Sequence, residues 1–396
     1  MSKKFVLIIS GLLITMFFAI YSIIGFGNSS SFKNHWEQAV VNQSVPEGLT
    51  SLSSKECGSC HQDHYKEWST STHSMAWKDL QFQAEIAKES SPYMCINCHI
   101  PLENQQEYII TGLEDGDLYK PIRHKNPNFD KDLQQEGINC ASCHVRDGAI
   151  ISMSVSNRAP HKSVEDKVHL SENLCIKCHN AVAVVTPELV CTFETGDEWK
   201  AGPYAETKNC KTCHMPKIDR PVAKGAPRNA SRMHYFMGSG IPKLHGLEPE
   251  RLDGLNYELM EVKEVYNHKD SISFKTIVTN KFAGHRVPTG DPERFIITKL
   301  SILNQVDSSL VAVDSFRIGE HWEWYPVAKK MADNNLNPGE SRAYQLTTKL
   351  NVGAYIIELK AYKYRTTEEL IKYNKLGDSY PSHIQFFEKS MFFKVN

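Results

Sequence analysis

The chain has 396 residues, 41% of them hydrophobic and 23% charged, which fits a folded protein and excludes a disordered or collagen-like one. Lys and Arg total 45 against 46 Asp and Glu, a formal charge of -1 that leaves no electrostatic footprint for nucleic acid. The length suits two or three domains, and 11 Cys with 17 His stand out for a chain of this size.

Lys3 and Lys4 precede an apolar run from Phe5 to about Phe26. A membrane-crossing helix needs roughly 20 residues, whereas a cleaved signal has an apolar region of about 7–15. The run therefore predicts an uncleaved anchor over residues 1–27 in a cell inner membrane, with Lys3 and Lys4 cytoplasmic and the body facing the periplasm. Cleavage near Gly25 and Gly27, giving a secreted or periplasmic protein, is the alternative. Residues 28–50 read as a linker. A polytopic transporter is excluded, because only this run could span a bilayer.

Ten of the 11 cysteines form one repeated motif, C-x-x-C-H, at Cys57-Cys60-His61, Cys95-Cys98-His99, Cys140-Cys143-His144, Cys175-Cys178-His179 and Cys210-Cys213-His214. This is the signature of covalent c-type haem attachment. Two thiols add across the vinyl groups of one haem, and the next residue offers an imidazole to the iron. Structural zinc and disulfides are the competing readings, and both leave the five histidines unexplained. The motifs predict five covalently bound haem c groups, with His61, His99, His144, His179 and His214 as proximal ligands. They define a pentahaem domain over residues 51–254. Its segments are polar, so porphyrins would supply most of its core, wrapped by short helices and loops.

Twelve histidines lie outside the motifs. Haems in electron carriers commonly take a second axial His or Met. His73 sits in Ser71-Thr-His-Ser-Met-Ala76, on a helix expected after Trp68. His161 follows Ala159-Pro160, His234 lies in Met233-His-Tyr-Phe236, and His285 opens the loop Gly284-His-Arg-Val-Pro-Thr-Gly290. These four are the candidate distal ligands. His64, His124, His169 and His245 rank below them, and His35, His268, His321 and His383 lower still. Met94 and Met215 read as packing residues, and Cys191 as a buried or unpaired thiol.

From about residue 255 the motifs stop. Strands are expected at Ser271–Thr279, Phe295–Leu303, Ser309–Phe316, Ala343–Leu350, Tyr355–Ala361 and Met391–Val395. Turn signals at Pro288–Asp291 and Asn337–Glu340 separate them, which suggests an antiparallel β-sandwich over residues 255–396. The fold class expected is α+β. No nucleophile-base arrangement is recognisable in this third, which reads as a structural or docking module apart from His285.

The segment from Cys57 through His73 and Ala76 resembles multihaem cytochromes of the cytochrome c-554 type. So do Cys98-His99-Ile-Pro101, Gly137-Ile-Asn-Cys140 to Asp147, and Cys213-His214-Met-Pro216. The Gly284 to Gly290 loop is similar to one in exported multihaem cytochromes with a β domain. The resemblance covers roughly residues 52–300. It implies periplasmic electron transfer with mostly bis-His haems and, in some members, one five-coordinate iron. The chain departs from the namesake by carrying five motifs rather than four. Function is read as a membrane-attached electron carrier between a membrane donor, a quinol-oxidising or other cytochrome, and a periplasmic or extracellular acceptor. The catalytic alternative is a reductase or oxidase of a small nitrogen or sulfur compound at a five-coordinate haem, with catalytic residues unassigned. Pentahaem nitrite reductases often use a Lys-ligated haem, whereas all five motifs here end in His.

Overall fold

The computed structural model describes residues 37–88, 92–186 and 189–396. The anchor expected over residues 1–27 and the candidate His35 lie outside the described residues. Among the described residues no helix is long and apolar enough to cross a membrane.

The first part is a run of short helices: α1 Ser54–Gly58, α2 Gln62–Ser69, α3 Leu80–Ile86, α4 Tyr93–His99, α5 Lys131–Gln134, α6 Cys140–His144, α7 Glu172–His179, α8 Thr195–Ala201 and α9 Cys210–His214. Four of them, α4, α6, α7 and α9, end on a motif histidine. Residues i, i+3 and i+4 share one helix face, so a single turn aims both thiols and the imidazole to the same side. Polar caps start these turns. The Asn139 side chain accepts from Ser142 N at 2.9 Å, and Ser142 Oγ accepts from Asn139 N at 3.1 Å. Ser171 caps α7 through Asn173 N at 3.3 Å.

Small ladders stitch the helices together: β1 Tyr108–Leu113 with β2 Pro121–Lys125, β3 Val145–Arg146 with β4 Ala149–Ser152 and β5 Ser163–Glu165, β6 Ala181–Thr186 with β7 Leu189–Phe193, and β8 Lys217–Pro221 with β9 Arg228–Arg232. Apolar packing here is sparse. One buried cluster holds Tyr93, Met94, Leu113 and Ala181, and another holds Leu52, Leu102, Leu133, Ala141 and Val145. Buried amides do part of the structural work. Gln105 Nε2 donates to the carbonyl of Leu133 in α5 at 3.0 Å and to that of Gly137 in the following loop at 2.7 Å, tying helix and loop together.

The second part is two sheets. A three-stranded sheet has the order β10 (Leu255–Leu259), β12 (Ile272–Asn280), β16 (Ser341–Thr348). A six-stranded sheet runs β11 (Val265–Tyr266), β18 (His383–Val395), β17 (Gly353–Tyr364), β13 (Phe295–Asn304), β14 (Leu310–Glu323), β15 (Lys329–Asp333). Helix α10, Glu368–Tyr373, lies between β17 and β18. Alternate residues of β12 point inward, including Ile272, Phe274 and Val278. They join Leu300 and Ile302 of β13 and Ile357 and Leu359 of β17 in one continuous core. The register places Leu300 opposite Leu359 and Ile302 opposite Ile357.

The sheets differ from the expectation in two ways. Pairing is not wholly antiparallel, because Val265 and Tyr266 of β11 run parallel to Lys394 and Val395 of β18. Three strands were not expected: β10, the two-residue β11, and β15, whose residues are all exposed and so show no alternation.

Candidate haem sites

Each candidate distal histidine is set in place by close backbone packing. His73 lies in a turn after α2 rather than on a helix, since α2 ends at Ser69. Its carbonyl accepts from Ile138 N at 3.1 Å, and a Cβ on Gly137 would sit 2.7 Å from that carbonyl oxygen. Gly137 also has φ +62, so glycine is required there twice over. His161 is held similarly. A Cβ on Gly48 would fall 1.9 Å from Pro160 O, and Lys162 N donates to Glu47 O at 3.1 Å.

His234 N donates to Glu67 Oε2 at 2.7 Å, and that buried carboxylate also pairs with Arg220 Nη2 at 2.8 Å. His285 lies in the loop between β12 and β13, and the loop rests on α8. Thr289 Oγ1 donates to Glu198 Oε2 at 2.7 Å, and a Cβ on Gly202 would meet Gly284 O at 2.1 Å. The Asn280 amide fixes the loop from the other side, donating to His285 O at 2.9 Å and Leu336 O at 3.0 Å.

These loops bring every candidate to a motif histidine. Ring centroids are 6.4 Å apart for His61 and His161, 6.3 Å for His179 and His73, 6.2 Å for His144 and His234, and 6.2 Å for His214 and His285. A metal–imidazole bond of about 2.0–2.1 Å plus the ring radius on each side gives roughly 6.4 Å between two rings sharing one metal. The four separations fit one iron between each pair.

The imidazoles are prepared for that role. Nδ1–H donates to a backbone carbonyl in His61 (Val222 O, 2.7 Å), His99 (Ala76 O, 2.8 Å) and His144 (Ile151 O, 2.8 Å), and in His214 to Met237 O. His234 and His285 do the same with Arg232 O at 2.9 Å and Arg286 O at 2.8 Å. That bond selects the tautomer that leaves Nε2 free for a metal. Burial, then the charge of neighbouring His179, pushes His73 down to about 3. Burial and His144 push His234 down to about 3. His179 and His99 fall to about 4, chiefly by burial, with His214 adding to the first and Lys243 to the second. His144, His161, His214 and His285 are lowered, again by burial first. All stay neutral, the form that ligates.

Four of the remaining histidines are engaged otherwise. His64 stands 6.0 Å from His61 and 4.8 Å from His234, but it follows His61 by three residues and its Nε2 bonds Ser231 Oγ at 2.9 Å. His169 Nε2 bonds Cys143 O at 3.0 Å, His268 bonds Asn396 O at 2.8 Å, and His383 stacks on Tyr364 at 4.7 Å. His99 faces no second imidazole among the described residues. Phe82 stacks on it at 3.6 Å. Beside it lies a buried charged group that sequence reasoning missed: Lys243 pairs with Asp79 at 3.0 Å, and Arg365 reaches the same carboxylate at 3.4 Å.

None of the 11 cysteines is in a disulfide. Thiols of different motifs touch: Cys57 with Cys140, Cys98 with Cys178, and Cys175 with Cys210. Cys143 lies close to Cys178. Cys191 is not isolated, because it hydrogen-bonds Cys95. Paired thiols on one helix face, a following imidazole with Nε2 free and a second imidazole at bridging distance together suit covalent haem c.

Residues 56–117 match the family described as Cytochrome c554 and c-prime. That stretch holds the first two motifs and His73, and the resemblance read from the sequence is borne out there. A penta-heme cytochrome c552 from Thermochromatium tepidum has a similar crystal structure, with a TM-score of 0.61 at 16% identity over 88% of this chain and 100% of that chain. It shares the fold. The β-glucosidase from Listeria innocua (TM-score 0.19, 11% identity, 39% of this chain, 18% of that one) is too distant to bear on the fold. The same holds for the Bacteroides uniformis β-glucuronidase (0.17, 13%, 36% and 13%). None of the curated proteins matches the chain in sequence. The fold is that of the penta-heme cytochrome c552, and the five motifs are those of covalent haem c attachment.

Proposed function

We propose that the chain is an exported, membrane-attached pentahaem c-type cytochrome that carries electrons between a membrane donor and a periplasmic or extracellular acceptor. The observation that carries this reading is the set of four imidazole pairs at 6.2–6.4 Å, each joining a motif histidine to one outside the motifs. Bound haem c supplies reversible one-electron storage at iron. The protein's part is to tether, close and connect. Cys57, Cys60, Cys95, Cys98, Cys140, Cys143, Cys175, Cys178, Cys210 and Cys213 tether. His61 with His161, His144 with His234, His179 with His73 and His214 with His285 would hold four irons, which favours electron transfer over ligand chemistry. The thiol contacts run from motif one to three, three to four, and four to both two and five, which supports short hops. Residues 51–254 form the haem domain and 255–396 the β domain. Lys3, Lys4 and the apolar run support an inner-membrane anchor with a periplasmic body.

Mass spectrometry of acid-denatured, matured protein should show five haem masses retained, and electron paramagnetic resonance of the oxidised protein should show at least four low-spin irons. Retention of three or fewer haems would defeat the pentahaem reading. Release of the full-length haem protein into the soluble fraction in high salt without detergent would defeat the anchor.

One observation favours a second reading, an oxidoreductase acting on a small nitrogen or sulfur compound. His99 has Phe82 and the Lys243–Asp79 pair beside it and no facing imidazole among the described residues. Reduced protein should then bind one carbon monoxide per chain. A protein that binds none is a carrier only.

A further inference from the structure

The β region sends a second group toward the haem domain besides His285. Arg294 follows the Pro288–Asp291 turn and immediately precedes β13. It is half-buried, and its charge reaches His179. Its backbone N donates to Asp291 O at 3.1 Å, but its guanidinium makes no hydrogen bond or ion pair among the described residues. A Cβ on Gly290 would lie only 3.3 Å from Nη1, so this glycine leaves the guanidinium its space. A guanidinium without a partner becomes costly once a haem covers it, because a buried charge must be paired.

The neighbouring carboxylates do not supply that partner. Asp79 is committed to Lys243 at 3.0 Å and to Arg365 at 3.4 Å. Arg365 is further fixed by Tyr380 Oη at 3.0 Å and Ile241 O at 2.9 Å. Asp291 acts on Arg294 through space without an ion pair. Glu293 accepts from Gln81 Nε2 at 2.7 Å and Thr366 Oγ1 at 2.8 Å, and burial, with Asp291 adding, pushes it up to about 8, so near neutral pH it is mostly uncharged. Lys243, Arg365 and Arg294 therefore stand as three neighbouring cations against Asp79 and Asp291. The cluster lacks one anion.

We infer that Arg294 is the ion-pair partner of a propionate carboxylate on the haem tethered at Cys175 and Cys178. A haem brings two carboxylates that need partners once enclosed, and a guanidinium binds a carboxylate through two parallel N–H donors. The inference rests on the haem-binding reading above. It is tested on protein already shown by mass to hold its haems, so the two fail separately. The shared chemistry is an oxyanion, and a free anion such as sulfate is the other source.

The experiment is redox titration of the holoprotein at several pH values, for the parent, Arg294→Gln and Arg294→Lys. Removing a cation beside a haem favours the ferric state. Arg294→Gln should keep its full haem count yet lower one midpoint potential and leave the others in place. The propionate, no longer paired, should take up a proton nearer neutral pH, so that one potential should become more pH-dependent. Arg294→Lys should restore most of the parent potential. Sulfate added to the parent should move nothing. Unchanged potentials in Arg294→Gln would overturn the inference. So would a saturable sulfate-induced shift in the parent, which assigns the cluster to a diffusible anion and needs no variant to fold.

Discussion

The two regions of the molecule bury their side chains by different means. In the β region, 19 residues from both sheets form one continuous apolar core, centred on Phe274, Leu300, Ile357 and Leu359. In the region before it, the buried apolar clusters among the described residues hold four and five residues, and amides such as Gln105, Gln106 and Asn139 take up part of the interior. Burial of apolar surface supplies about 25 cal/mol per Å². The β region has that supply in its sequence, whereas the motif region needs it from outside the polypeptide. A fold can therefore be self-sufficient at one end and cofactor-dependent at the other within a single chain.

The sharpest way to break this contrast is to withhold haem. Haem-free full-length chain under limited proteolysis should lose residues 51–254 and leave a resistant fragment beginning near residue 255. Survival of both regions, or digestion of both together, would show that they do not differ as argued. Next in size is a cavity in the apolar core. Phe274 is 2% exposed, and Phe274→Ala should cost about 3–5 kcal/mol in denaturant unfolding of the β region while leaving the low-spin haem signals in place.

A smaller effect should appear at the seam. His285→Ala should retain every haem, convert one low-spin iron to high-spin and allow it to bind carbon monoxide when reduced. An unchanged low-spin count would make the β region a packing module only. The smallest effect concerns Glu293, whose titration burial and Asp291 raise to about 8. Folding favours its protonated form, so stability is fully present below the ordinary carboxylate range and is lost as pH rises through about 8. Glu293→Gln should flatten that loss, raising Tm at about pH 8 more than at about pH 5.

The motif cysteines and histidines were legible because attachment chemistry fixes their order along the chain. The four outer histidines stood out through short, unusual flanking sequence. Which imidazole meets which could not be read, since His61 meets His161 while His73 meets His179, and only the folded loops decide that. Alternation revealed the long strands such as Ile272–Asn280, but β15 is exposed throughout and leaves no pattern. The turn around His73 was mistaken for helix because its cause is remote, the close approach of Gly137. The Asp79, Lys243 and Arg365 group was missed for a similar reason. Its members lie far apart in sequence and carry no periodic signal.

Under the proposed pentahaem reading, the thiol contacts would also set a connectivity. Among the described residues, the thiols of motif four touch or adjoin those of motifs two, three and five, and the Cys57 thiol of motif one touches Cys140 of motif three. Such a network is a fork with three tips, at motifs one, two and five. With haems bound, a tip could be lost and the rest would still conduct. The fourth position is an articulation point, whose loss would split the circuit into three disconnected pieces. A molecule wired this way has room for three terminals, one more than a relay with a single source and a single sink requires.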